Sequence, residues 1–233
     1  MIPASEEDIS ELVRSADAPL HIFGGNTRGI APAPGGHIQD LSLRQARELF
    51  NEAATIVQAD KRLGKHLTVR DYTSTIALPA ERSRYVAVSS KGNAHHGKTP
   101  TVAVLDEIHV WSGADGLRLY EAIDSAMVKV PNTLTIIAST SGRGQENLAW
   151  KTVEYAMRVQ KGEIVDPATL PVIFMAEEGD DWTDEALWHA LNPGLQHGYP
   201  DLAGFRDKAA KAQHSPFERD SFLQFNLNRW LDT

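Results

Sequence analysis

Three runs constrain this chain more than anything else in it. "TVAVLDE" (101–107), "TLTIIAST" (133–140) and "LPVIFMA" (170–176) are apolar almost throughout, without the polar alternation of a strand that faces water on one side. Between them lie segments of helical period. From Asp115 to Lys129, the residues Leu119, Tyr120, Ile123 and Met127 share a face; further on Ala149, Trp150, Val153, Ala156 and Met157 do the same before Gly162 offers a C-terminal cap. Buried strands alternating with amphipathic helices predict an α/β fold, a mostly parallel sheet with helices on both faces.

Upstream the pattern is shorter. Leu43, Ala46, Phe50, Ala53 and Val57 mark another amphipathic helix, while "PLHIF" (19–23), "HLTVRDY" (66–72) and "RYVAVSS" (84–90) are strand candidates. Ser5 or Ser10 suits the cap of a short leading helix, and the Pro/Gly-rich "IAPAPGGH" (30–37) is the best candidate boundary. The expected organisation is an N-terminal segment (1–36), an α/β core (37–176) and a helical C-terminal segment (177–233).

Composition removes several function classes. There is no cysteine, which excludes disulfides, thiolate metal sites and a cysteine nucleophile. A formal charge of −8 gives no global attraction to nucleic acid or anionic membrane, so a DNA contact needs a local basic patch. No segment approaches the roughly 20 apolar residues of a membrane span, and the acidic start "MIPASEEDISELV" is unlike a signal peptide. A soluble protein with no membrane partner is expected.

Two motifs carry chemistry. Asp106 ends the strongest strand, at the carboxyl edge where α/β sheets bind ligands, and is placed to hold Mg²⁺ directly or through water beside nucleotide phosphates. Glu107, next in the chain, is placed to activate or orient an attacking water. The next strand ends in Ser139, Thr140, Ser141 and Gly142, whose hydroxyls and amides are expected at the same edge, where a γ-phosphate sensor belongs; Arg143 follows as a candidate contact to that phosphate or to a neighbouring subunit. "GNAHHGKT" (92–99) has the letters of a phosphate loop, but Pro100 and a strand follow it in place of the helix such a loop needs, so it reads as a turn.

Other clusters read more plainly. His95 and His96 lack a third ligand at recognisable spacing. Asp180, Asp181 and Asp184 have the look of a nuclease cluster, although Asp181 or Thr183 as a helix cap explains them better. Lys61, Arg62, Lys65 and Arg70 form a local basic group, expected to be a solvated face before a DNA contact.

From about Gly36 onward the chain resembles the ATPase domain of the large terminase subunit of tailed bacteriophages. The resemblance is carried, in order, by "LSLRQARELFNEAATIV", "SSKGNAHHGKTPTVAVLDEIHVW", "LTIIASTSGRGQENLAW", "DDWTDEALWHALNPGL" and "FNLNRW". It implies a RecA-like P-loop NTPase fold and an ATP hydrolase of viral DNA packaging. It also implies a Walker B aspartate at Asp106, a catalytic glutamate at Glu107 and an ATP-coupling motif at Ser139–Gly142. ATP and Mg²⁺ are the implied cofactors; double-stranded DNA, a portal ring and a small terminase subunit are the implied partners, in the cytoplasm of a bacterial host, and a homo-oligomer is compatible with that role.

Two departures accompany it. "GGNTRGIAPAPGG" carries no GK[ST] before a helix, and the family's nuclease domain is expected just after "NLNRW", where this sequence stops. A truncated phage or prophage packaging ATPase is therefore the first expectation; an inactive remnant or interaction module, and a DExH-type helicase fragment suggested by "DEIH", are the alternatives. Residues 1–36, "IPASEEDISELVRSADAPLHIFGGNTRG" in particular, resemble instead the start of the FAD-binding domain of glycolate-oxidase-type flavoproteins.

Overall fold

A computed structural model describes residues 22–24, 41–88, 100–111, 113–129 and 131–232. The expectations for Ser5 and Ser10, the joint at 30–37, and "GNAHHGKT" with His95 and His96 lie outside the described residues. The chain divides into two compact units, Met1–Ala138 and Ser139–Thr233.

The first unit holds a six-stranded sheet. Its elements are β1 (Ile22–Gly24), α1 (Leu41–Ala59), β2 (Thr68–Arg70), β3 (Thr75–Leu78), β4 (Ser83–Val88), β5 (Val102–Asp106), α2 (Gly113–Met127) and β6 (Leu134–Ala138). The spatial order is β2-β3-β4-β1-β5-β6. Strands β4, β1, β5 and β6 are mutually parallel, with Gly24 opposite Asp106 on one side and Ala138 opposite Asp106 on the other. Residues 22–24, from the stretch read as a separate N-terminal segment, thus form the strand between β4 and β5.

The other edge departs from the expected parallel sheet. β2, β3 and β4 form an antiparallel meander. The linking turns are short 3₁₀ segments, Asp71–Thr73 and Pro79–Glu81, each closed by a residue of positive φ, Ser74 and Arg82. β2 lies within the expected strand at 66–72 and β4 overlaps the one at 84–90; β3, four residues between two 3₁₀ turns, is too short for a period of two to show.

The helical period of α1 is explained by burial. Phe50, Ala54 and Val57 are buried and pack with Ile76, Tyr85 and Ala87 of the sheet. The Phe50 and Tyr85 rings stack with centroids 6.2 Å apart. Complete burial of Phe50 is worth about 2–3 kcal/mol. Burial also pushes the Tyr85 hydroxyl up to about 12. In β5 Ala103 and Leu105 are buried; β6 pairs in register as expected, but at the sheet edge with Leu134, Ile136 and Ile137 exposed.

The second unit is built of helices: α3 (Leu148–Gln160), α4 (Glu185–Leu191), α5 (Leu202–His214) and α6 (Pro216–Asn226). Three rings form its core, Trp188, Phe205 and Phe222, with pairwise centroid distances of 5.2–5.8 Å. Each helix start is capped by a side chain that accepts a backbone N–H: Asn147, Asp184, Asp201 and Ser215. Gly162 follows α3 in the left-handed conformation (φ 73°), as its sequence position predicted.

Two expectations are corrected here. "LPVIFMA" (170–176) is not a strand: Pro171 has no N–H, Leu170 and Val172 are exposed, and one backbone bond, Ala176 N–H to the Leu227 carbonyl, ties it down. An apolar run favours burial, whereas a strand also needs a neighbour to share its ladder. The cap of α4 is Asp184, which accepts from Ala186 N–H; Asp181 instead accepts from the N–H and hydroxyl of Thr183 one turn earlier.

Candidate functional site

β5 delivers Asp106 to the carboxyl edge of the parallel strands, half-buried between Gly24 and Ala138 of the neighbouring strands. Burial first, and then the negative charge of Glu107, push its carboxyl above the ordinary value of 3.8. Glu107 turns sharply out of the strand with φ 53° and ψ 45°, a left-handed conformation that costs a side-chain-bearing residue about 1 kcal/mol or more.

The surroundings hold this conformation. Glu107 N–H donates to the Ala138 carbonyl at 2.6 Å, and the Glu107 carbonyl accepts from Val110 N–H, closing a 3₁₀ turn over Ile108–Val110. Ile108 and Trp111 are buried, and the Trp111 indole N–H donates to the Asp106 carbonyl at 3.1 Å. α2 passes so close that a Cβ on Gly116 would lie 2.9 Å from the Trp111 backbone, so only glycine fits there. His109 brings its Nδ1 to 2.9 Å from Glu107 Oε2. Asp106 and Glu107, neighbours in the chain, thus sit on a backbone that these contacts over-determine.

The second motif opens the second unit. Register puts Ala138 opposite Asp106, and the chain leaves the sheet at Ser139. Ser139 Oγ donates to the Thr140 carbonyl. Ser141, buried, donates its hydroxyl to the Gln224 carbonyl at 2.9 Å and accepts at its own carbonyl from Gln224 Nε2 at 3.3 Å. Arg143 Nε donates to Gln224 Oε1 at 2.9 Å. The turn is further joined to the end of the chain: Gly144 N–H donates to the Leu231 carbonyl, Leu231 N–H to the Gly142 carbonyl, and the Trp230 indole to the Gly144 carbonyl at 2.8 Å. Gln224 and Trp230 are residues that sequence reasoning missed. For Trp230 the signal available is the block "FNLNRW" (225–230), to which the resemblance assigns no role; Gln224, just before it, carries none.

The remaining candidates have local explanations. Asp180 accepts from Glu177 N–H, and with Asp181 and Asp184 already engaged the three carboxylates serve turns and a cap. Among the described residues no group of three or more His, Asp or Glu side chains is set to hold a metal ion. Arg62 bonds Asp60 at 2.9 Å, and Lys61, Lys65 and Arg70 are exposed. No helix among the described residues is long and apolar enough to cross a membrane.

An α/β unit whose parallel strands carry a carboxylate pair to their carboxyl edge is the kind of protein that binds a ligand at that edge. Residues 31–177 match the family described as terminase large subunit, ATPase domain, and the chain belongs to that family. The large terminase subunit of Enterobacteria phage HK97 is 28% identical over 197 residues, 83% of this chain and 37% of that relative. The crystal structure of the HK97 bacteriophage large terminase superposes with a TM-score of 0.71 at 21% identity, covering 94% of this chain and 43% of that one. The chain thus spans well under half the length of these relatives. The resemblance of residues 1–36 to an FAD-binding domain finds no support in these comparisons, and the described part of that stretch, β1, is an inner strand of the sheet, between β4 and β5.

Proposed function

We propose that this chain is the ATP-hydrolysing domain of a viral DNA-packaging terminase, with a RecA-like P-loop NTPase fold. The observation that carries this is Glu107, held in a left-handed conformation directly after a partly desolvated Asp106 at the carboxyl edge of the sheet. Strained backbone and shifted carboxyls concentrate where a site is organised for chemistry.

Asp106 is the residue to hold Mg²⁺. Two adjoining carboxylates whose mutual charge already raises Asp106 suit a divalent cation, and Mg²⁺ is ordinarily bound through one or two carboxylates together with substrate phosphates. When bound, the ion would neutralise charge on the phosphates. Glu107 would orient a water in line with the γ-phosphorus and accept its proton as the new P–O bond forms and the bond to ADP breaks. Ser139, Thr140, Ser141, Gly142 and Arg143 would register the γ-phosphate and pass its presence into the helical unit. Family membership extends the proposal to double-stranded DNA, a portal ring and a small terminase subunit as partners, with the bacterial host cytoplasm as the place of action.

Steady-state hydrolysis of Mg–ATP tests this. Glu107→Gln is expected to lower turnover by about 10²-fold or more while leaving nucleotide binding intact. Equal turnover in the two proteins would remove Glu107 from its role. A second reading, a family member that keeps the sheet and binds nucleotide weakly, is favoured by the absence of GK[ST] between Gly24 and Leu41. Titration with labelled ATP separates the two, because micromolar affinity excludes the weak binder.

A further inference from the structure

Glu107 and His109 are two apart in sequence, a spacing at which side chains on a helix do not face each other. Here the left-handed Glu107 and the 3₁₀ turn behind it fold the chain so that Nδ1 of His109 lies 2.9 Å from Oε2 of Glu107. The two side chains are only 10% and 22% exposed, so this contact is not the solvent-screened surface pair whose worth is negligible.

We propose that His109 is the positioning residue for Glu107: its Nδ1–H donates to Oε2 and fixes the plane of the carboxylate, and thereby the direction in which the other oxygen meets water. The inference rests on the ATPase reading above. The turn that carries His109 is itself rigid, since Ile108 and Trp111 are buried on either side and the Trp111 indole returns to the Asp106 carbonyl. Backbone strain sets where the Glu107 side chain leaves the strand, and the His109 contact constrains how it turns from there. A water held by a carboxylate free to rotate would be misaligned for most of the time, and misplacement by about 1 Å can cost about 10²-fold in rate.

The full chain is assayed for steady-state ATP hydrolysis and for labelled-ATP binding as wild type, His109→Ala, His109→Asn, Glu107→Gln and the Ala/Gln double variant. His109→Ala is expected to lower kcat by about 10- to 100-fold with KM and ATP affinity changed less than about threefold. His109→Asn, which keeps an N–H near the Nδ1 position, is expected to recover most of that loss. The double variant should be no slower than Glu107→Gln alone, because the histidine acts only through the carboxylate. Unchanged kcat in the Ala variant, or a loss that multiplies with that of Glu107→Gln, would overturn the inference. Should the Ala variant lose its cooperative melt, the Asn variant decides together with His109→Gln, whose donor is displaced by one bond: Asn active and Gln impaired supports it, and equal rates overturn it. Wild-type chain that neither binds nor hydrolyses ATP overturns the ATPase reading and this inference with it, whereas wild-type turnover indifferent to His109 overturns the inference alone.

Discussion

The carboxylate pair follows β5 and the turn at 139–143 follows β6, yet the two are stabilised in opposite ways. Asp106 carries charge that its surroundings disfavour, and Glu107 sits on a backbone that its side chain disfavours. Ser141 and Arg143 are instead met by a single residue, Gln224, which answers a carbonyl, a hydroxyl and a guanidinium together. The first region concentrates charge and backbone strain; the second is tied by hydrogen bonds to Gln224.

Three substitutions would sharpen or break the contrast, beginning with the largest effect. Gln224→Ala removes two bonds and leaves the Ser141 carbonyl buried without its donor, so the helical unit should lose about 1–3 kcal/mol in urea denaturation. A loss no larger than that of an exposed control would mean that the turn is not held as described. Asp106→Asn should act in the other direction and raise the melting temperature at neutral pH without divalent cation. Because the folded carboxyl is raised above 3.8, the folded state binds its proton more readily than the unfolded chain, and wild-type stability falls as pH climbs through that window. The advantage of the variant should therefore vanish as pH drops below 3.8, and Mg²⁺ with ATP should stabilise the wild type only.

Asp60 gives the smallest and the contrasting case. A side-chain hydrogen bond from Arg62, and next the Arg62 backbone N–H, hold its carboxyl at about 2. A depressed carboxyl contributes stability that is complete above 3.8 and lost as pH falls through about 2, the reverse of Asp106. Nuclear magnetic resonance titration should find Asp60 near 2 and, in Arg62→Ala, part of the way back to 3.8. The melting temperature should hardly move, since the pair is exposed.

What the sequence disclosed follows from the range over which its signals act. β5 and β6 are legible as uninterrupted apolar runs and α2 and α3 by their helical period, and Asp106 and Glu107 stand out because they close the clearest of these runs. β2 falls within the expected strand at 66–72 and β4 overlaps the one at 84–90, but the four residues of β3 and the antiparallel pairing it brings left no local signal, and 170–176 is no strand because apolarity says nothing about a ladder partner. Three acids within five residues could each cap a helix, and only geometry chose Asp184. Gln224 lies 83 residues from Ser141, beyond any local pattern. "DEIH" was read for its letters, whereas the contact within it depends on a φ angle that no composition encodes.

Trp230 gives the helical unit a means of being watched. Its indole bonds the Gly144 carbonyl and its ring lies 5.1 Å from that of Trp150, so the fluorophore sits one residue beyond the Ser139–Arg143 turn. A rearrangement of that turn that shifts Gly144 would alter this hydrogen bond. A Trp230→Phe difference spectrum would then isolate an intrinsic optical signal, letting stopped-flow mixing time the motion without attaching a dye.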